Sequence, residues 1–271
     1  IMNQKTKPII LIHGIWTTPH CWDLFRVYYE EQGYLVLTPA WPRIHGEAED
    51  MRRDPSVLNG LGVTEIVDHY EKIIATLDTP PILIGHSFGG LVVQILLDRG
   101  LGAAGVAIDP ANPKGVWPLS ISVIKSIMPV LSNPFNYKRT IMPAFKQFCY
   151  AFANTMPENE ARIIYDRYGI PGPGRPLFQA AFANLNPWSD IKVNYHNNNR
   201  APLLLIGGSE DQICPAKFTK INYEKYSNSR AITEYQEFPH RSHLIIIEEG
   251  WQEVAEFALS WSQTKASTAA Q

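Results

Sequence analysis

Five short runs in this chain are apolar almost throughout instead of at every second position: Pro8–Ile12, Tyr34–Thr38, Pro81–Gly85, Ala104–Ile108 and Pro202–Ile206. A strand with no polar face must be covered on both sides, and a parallel sheet sandwiched between helices is the arrangement that does this. A sixth run, Ile232–Phe238, is more polar and suits a sheet edge. Between the runs lie helical patterns. Trp22–Gln32 ends at Gly33, a residue suited to a left-handed C-cap, and Thr64–Leu77 begins with Thr64 as its cap. Gly89–Arg99 and Trp251–Trp261 complete the set. Strand and helix in repeated alternation predict an α/β fold: a mostly parallel sheet of about six to eight strands flanked by helices.

One segment breaks the alternation. From Asn112 to Asn199 there is no clear strand, but there are many aromatic residues, helical patches at Ser120–Leu131, Met142–Asn154 and Glu158–Tyr168, and the stiff IPGPGRP. An excursion this long is too large for a structureless loop. The expected organisation is therefore a core of residues 1–111 and 200–271, with residues 112–199 inserted as a helical cap. The tail, Thr264–Gln271, is expected to fray.

Bulk properties exclude several classes. With 24 Lys and Arg against 26 Asp and Glu, the net charge of −2 offers no basic field for nucleic acid. No apolar run approaches the ~20 residues of a membrane span, and the first residues carry no signal-like apolar core. The three cysteines, Cys21, Cys149 and Cys214, are widely spaced and form no CxxC or Cys/His cluster. A cytoplasmic protein with reduced thiols, no metal and no cofactor is the expectation.

The chemistry is carried by GHSFGG, which fits G-x-S-x-G through Gly85, Ser87 and Gly89. The pattern alone is weak. Here it follows a buried strand and opens a helix, the context in which a strained turn thrusts a serine hydroxyl out at the strand's carboxyl end. The helix N-terminus beyond it adds free N–H groups and positive dipole. A serine needs a base, and the base an orienting acid. SEDQ supplies Asp211 after a strand ending in Gly207-Gly208, and PHRSH supplies His243 before the last helix. Asp109, at the end of VAID, and Glu210 are alternative acids, and His240 is an alternative base. His86 inside the motif reads as a packed neighbour. An oxyanion hole needs two backbone donors, for which Phe88 and Ile15 are the first choices and Trp16 the second. His13 reads as a brace for that loop.

These motifs in this order (HG loop, GHSFGG elbow, GSED turn, late SH histidine) resemble the α/β-hydrolase superfamily over about residues 8–262. The resemblance implies acyl transfer by Ser87, base catalysis by His243, orientation by Asp211 and a cap at 112–199. It also implies a sheet of about six strands, without the first two strands of larger members. Serine at the elbow argues against the members that use a carboxylate nucleophile. A small-molecule carboxylic ester is the expected substrate, with a lactone such as an acyl-homoserine lactone as the nearest alternative. Cofactor-free perhydrolase, haloperoxidase or lyase chemistry, or ligand binding without catalysis, stand behind these. Lyases usually need an added lid lysine, and nothing singles out Lys114, Lys125, Lys138 or Lys146. The cap aromatics, with Trp16 and Trp22 near the oxyanion loop, suggest either an apolar pocket, Trp16 lining it, or simply the cap's own core.

Overall fold

The computed structural model describes residues 7–268. Six parallel strands form the main sheet: β1 (Ile9–Ile12), β2 (Val36–Leu37), β3 (Ile82–His86), β4 (Ala104–Ile108), β7 (Leu203–Gly208) and β8 (Thr233–Phe238). Two further short strands, β5 (Thr140–Ile141) and β6 (Gly172–Pro173), pair antiparallel in a separate ribbon. The sheet order is β2-β1-β3-β4-β7-β8, so the polar β8 lies at an edge.

Alternate residues of β1 explain its continuous hydrophobicity. Ile10 and Ile12 face one core with helices α3 (Val63–Ile74) and α4 (Phe88–Asp98). Ile9 and Leu11 face the other, with α1 (Asp23–Glu31) and α10 (Trp251–Thr268). Each such fully buried side chain contributes about 1.5–3 kcal/mol. Helix α2 (Ala48–Arg53) lies beyond β2, and α9 (Ala216–Lys225) links β7 to β8. Between β4 and β7 come α5 (Ile121–Leu131), α6 (Phe145–Ala151), α7 (Glu158–Tyr168) and α8 (Arg175–Phe182), together with the ribbon.

Several boundaries differ from the sequence expectation, each for a tertiary reason. Helix α3 starts at Val63 behind Gly62 and is not capped by Thr64; the Val63 N–H is taken by the side chain of Gln179 on α8, at 3.0 Å. IPGPGRP is not merely a stiff linker. It enters β6 and then starts α8, where Pro176 sits in the first turn and needs no N–H partner. The tail does not fray as far as Thr268. Lys265 pairs with Glu234 of β8 at 2.6 Å and Ala266 is buried, while 269–271 lie outside the described residues.

The turn joining β3 to α4 is packed backbone on backbone. A Cβ on Gly85 would strike the Gly89 carbonyl, and one on Gly89 would strike the Ile12 carbonyl of β1. Gly89→Ala is therefore expected to lower stability by about 2–4 kcal/mol, read as a fall in urea midpoint. Gly33→Ala, with open space around it, should cost only the strain of its positive φ of 87°.

Candidate active site

Ser87 occupies the turn with φ 56° and ψ −123°, a conformation that a side chain adopts only when its surroundings impose it. Those surroundings are four backbone bonds, one of them from the Leu91 N–H to the Ser87 carbonyl at 3.3 Å. Its N–H donates to Ile108 O at 2.9 Å, and its carbonyl accepts from Gly90 at 2.9 Å and Ala111 at 3.0 Å. The hydroxyl thus stands at the carboxyl end of β3, at the head of α4. Phe88 is the first residue of α4, so its N–H has no carbonyl one turn back to bond.

The loop after β1 approaches from the other side. A Cβ on Gly14 would come within 2.8 Å of the Ser87 Cβ, so only glycine lets Ile15 close in. His13 braces this loop, donating from Nδ1 to Gly14 O at 2.8 Å and accepting the Trp41 N–H at Nε2, at 3.0 Å. The Trp41 indole stacks on its ring and returns a bond to His13 O, at 3.0 Å. Burial pushes the His13 imidazole down to about 4, so it stays neutral, as this pattern of one donor and one acceptor requires. Trp16 follows with φ 67° and anchors its indole N–H on Ile141 O at 2.9 Å.

Asp211 and His243 meet at 2.5 Å, Oδ2 to Nδ1, both side chains wholly buried. The other oxygen of Asp211 accepts the N–H groups of Ile213 and Cys214, at 2.8 and 2.7 Å, which fixes the carboxylate plane. With Nδ1 committed, Nε2 of His243 is the free nitrogen, and it is buried with no hydrogen-bond partner among the described residues. Asp109 is not bonded to His243; its Oδ1 accepts the Gly208 N–H at 2.6 Å. Glu210 is exposed, its carboxylate near Ser209, and His240 is exposed with its N–H on the Ser209 hydroxyl. His86 is buried and donates from Nε2 to His243 O at 2.7 Å. Burial first, and the neighbouring His243 second, hold its pKa well below the usual range.

Two apolar hollows converge on Ser87 and Ile15, enclosing about 670 and 460 Å³ of empty space with their mouths included. The larger is walled by aliphatic residues of α5 and α8, among them Val123, Ile127, Leu177 and Ala180. The smaller is aromatic, with Trp16, Phe148, Phe152 and Tyr168. Trp22, expected near this loop, is instead sealed in the core behind the sheet, edge-on to His86. Of the aromatics between β4 and β7, Phe135 and Trp117 face outward, and Phe178 packs on Tyr137 and Phe182. None of Lys114, Lys125, Lys138 and Lys146 lines either hollow. The thiols are free; burial raises Cys21 to about 12 and holds Cys214 well above the usual range, so neither is a nucleophile.

Donor atoms are close enough for an ion in two buried groups, His86–Asp109–His243 and Asp211–Cys214–His243. Asp211 and His86 already spend atoms on the bonds just described.

Glu248 was not legible as part of the site. Its carboxylate accepts the Ser242 N–H at 2.8 Å and the Ser242 and Thr155 hydroxyls at 3.0 and 2.7 Å. It therefore fixes the loop carrying His243 and ties it to the segment between β4 and β7. The only hint in the sequence was an acid closing the apolar run LIII, a weak signal.

The matching family model, described as the alpha/beta hydrolase family, covers residues 9–257. The chain belongs to that family. Among curated proteins none matches it. Solved structures share the fold at low identity. Tomato methylketone synthase I, complexed with 2-tridecanone, is 15% identical with a TM-score of 0.69, over 96% of this chain and 99% of that one. An esterase from Exiguobacterium antarcticum is 17% identical with a TM-score of 0.67, over 95% and 92%. An extracellular alpha/beta-hydrolase from a Paenibacillus species is 20% identical with a TM-score of 0.65, over 94% and 98%. This is thus an alpha/beta hydrolase with esterase-type structural neighbours. No helix among the described residues is long and apolar enough to cross a membrane.

The Glu248 bonds give a direct test. Glu248→Ala strands the buried Ser242 N–H and should lower stability by about 2–4 kcal/mol. Thr155→Val removes one bond and should cost about 1 kcal/mol. Urea titration of both variants measures the ratio.

Proposed function

We propose that this hydrolase cleaves carboxylic esters of apolar small molecules through an acyl-enzyme, with Ser87, His243 and Asp211 as its triad. One set of observations carries the reading: a serine with positive φ at a helix head, preceded by His86, whose ring lies 4.6 Å from that of His243. His243 is paired in the interior with Asp211, and its outer nitrogen has no partner among the described residues. In this mechanism Ser87 Oγ attacks the ester carbonyl while His243 Nε2 takes its proton. The N–H groups of Ile15 and Phe88 receive the negative oxygen. His243 then gives the proton to the departing alkoxide, and water repeats the sequence to release the acid. Asp211 holds the imidazole in the tautomer that leaves Nε2 bare.

The two hollows support the substrate class, one for each side of the ester carbon, because both are lined almost wholly by apolar side chains. We read residues 112–199 as a cap, since α5 and α8 roof the larger hollow and α6 and α7 the smaller, with 1–111 and 200–271 as the core. The structural neighbour complexed with 2-tridecanone fits an apolar site on this fold. Three free thiols suit a reducing cytoplasm, the compartment we favour, although the Paenibacillus neighbour is extracellular.

Ser87→Ala and His243→Ala should each reduce kcat/KM for a p-nitrophenyl ester by about 10⁴-fold or more, with unchanged circular dichroism. A fluorophosphonate probe should label wild type and not Ser87→Ala. Absence of labelling in wild type would mean an unactivated serine and a binding protein. Across p-nitrophenyl acetate to decanoate, kcat/KM should rise with chain length as the larger hollow fills; a flat profile, or preference for a lactone over every open ester, would overturn the substrate class.

A further inference from the structure

Asp109 is a buried carboxyl that the mechanism above leaves unused. It ends β4 with a positive φ of 42°, and its side chain is fully enclosed. One oxygen accepts the Gly208 N–H at 2.6 Å, while the other is buried with no hydrogen-bond partner among the described residues. Its carboxyl also lies near enough to that of Asp211 to feel its charge. Two carboxylates cannot face each other in a dry interior with both ionised, so one must hold a proton. The hydrogen-bond donors around each carboxyl decide which. Asp211 receives three, from Ile213, Cys214 and His243. Asp109 receives one.

We propose that Asp109 is held as a neutral carboxylic acid whose O–H donates to the Asp211 carboxylate, making it a positioning residue for the Asp211–His243 pair. The inference rests on reading that pair as the base of the triad. Asp109 links two strand ends: its acceptor oxygen holds the Gly208 peptide at the end of β7, from which the turn to Asp211 departs, and its proton holds the Asp211 carboxyl itself. The groups facing it are Asp211, Glu248, His86, His243, Cys214 and Tyr235. Burial, and then the charge of Asp211, push its pKa well above the ordinary carboxylate value. The arrangement keeps a single negative charge on the pair of carboxyls.

The sign of the linkage gives the test. In the unfolded chain Asp109 ionises above about pH 3.9, whereas in the fold it keeps its proton, so wild type loses stability as pH rises from there towards the folded value. Asp109→Asn keeps the shape, a donor and an acceptor, and has no proton to lose. Its Tm relative to wild type should therefore rise by roughly 3–5 °C for each pH unit between 5 and 8. On a p-nitrophenyl ester, Asp109→Asn should keep kcat within about threefold. Asp109→Ala, which lacks the donor, should lose about ten- to a hundredfold in kcat with little change in KM. A Tm difference that stays flat with pH, or that favours wild type throughout, would show Asp109 ionised and end the proposal. So would an Asn variant as slow as the Ala variant. If wild type proves inactive on every ester, the triad reading falls, but the Tm comparison still reports whether Asp109 carries its proton.

Discussion

Everything at this site depends on three stretches of backbone being allowed to touch. The ends of β1 and β3 and the head of α4 meet through Gly14, Gly85 and Gly89, with no side chain between them. A strained residue at such a crossing costs about 1–3 kcal/mol, and it survives because the alternatives are blocked. Ser87 is bonded to β4 and to the start of the next connection through both its N–H and its carbonyl. The same contact that holds the serine upright brings the loop of Ile15 within reach of it. The serine and that loop are thus parts of one packing solution.

Around that crossing, buried polar groups are distributed by the same rule: each bond fixes the freedom of a group that must point one way. His13 is neutral and splits its two nitrogens between Gly14 and Trp41. His86 turns its donor towards the His243 carbonyl. Asp211 spends one oxygen on its own turn and the other on His243. Three histidines close to one serine therefore have different duties, set by their partners and not by their distance from the hydroxyl.

The sequence disclosed the sheet and the order of the motifs because both follow from strong local patterns. Continuous apolar runs and closely spaced glycines leave little choice of environment, and the five apolar runs and the polar edge strand lie where those patterns put them, within a residue or two. What stayed hidden depends on contacts between residues far apart in the chain. The start of α3 is set by Gln179, 116 residues away, which no helix-capping rule could find. The order of Asp109 and Asp211 was open in the sequence because both follow strand ends; the geometry separates them by what each oxygen receives. Glu248 and the orientation of Trp22 were invisible for a related reason: one is an acid among surface-like acids, the other an aromatic on a helix edge.

Asn154 and Thr155 add a consequence for anyone reshaping this protein. Asn154 donates to the Glu210 carbonyl at 2.9 Å, beside the acid turn, and Thr155 donates to Glu248 below the histidine loop. The segment between β4 and β7 is stitched to both loops at two adjacent residues. Exchanging it wholesale for the equivalent segment of another hydrolase would remove those stitches along with the pocket walls. A transplanted segment would need an amide and a hydroxyl at the same two places, so pocket shape and loop order in this molecule are not interchangeable parts.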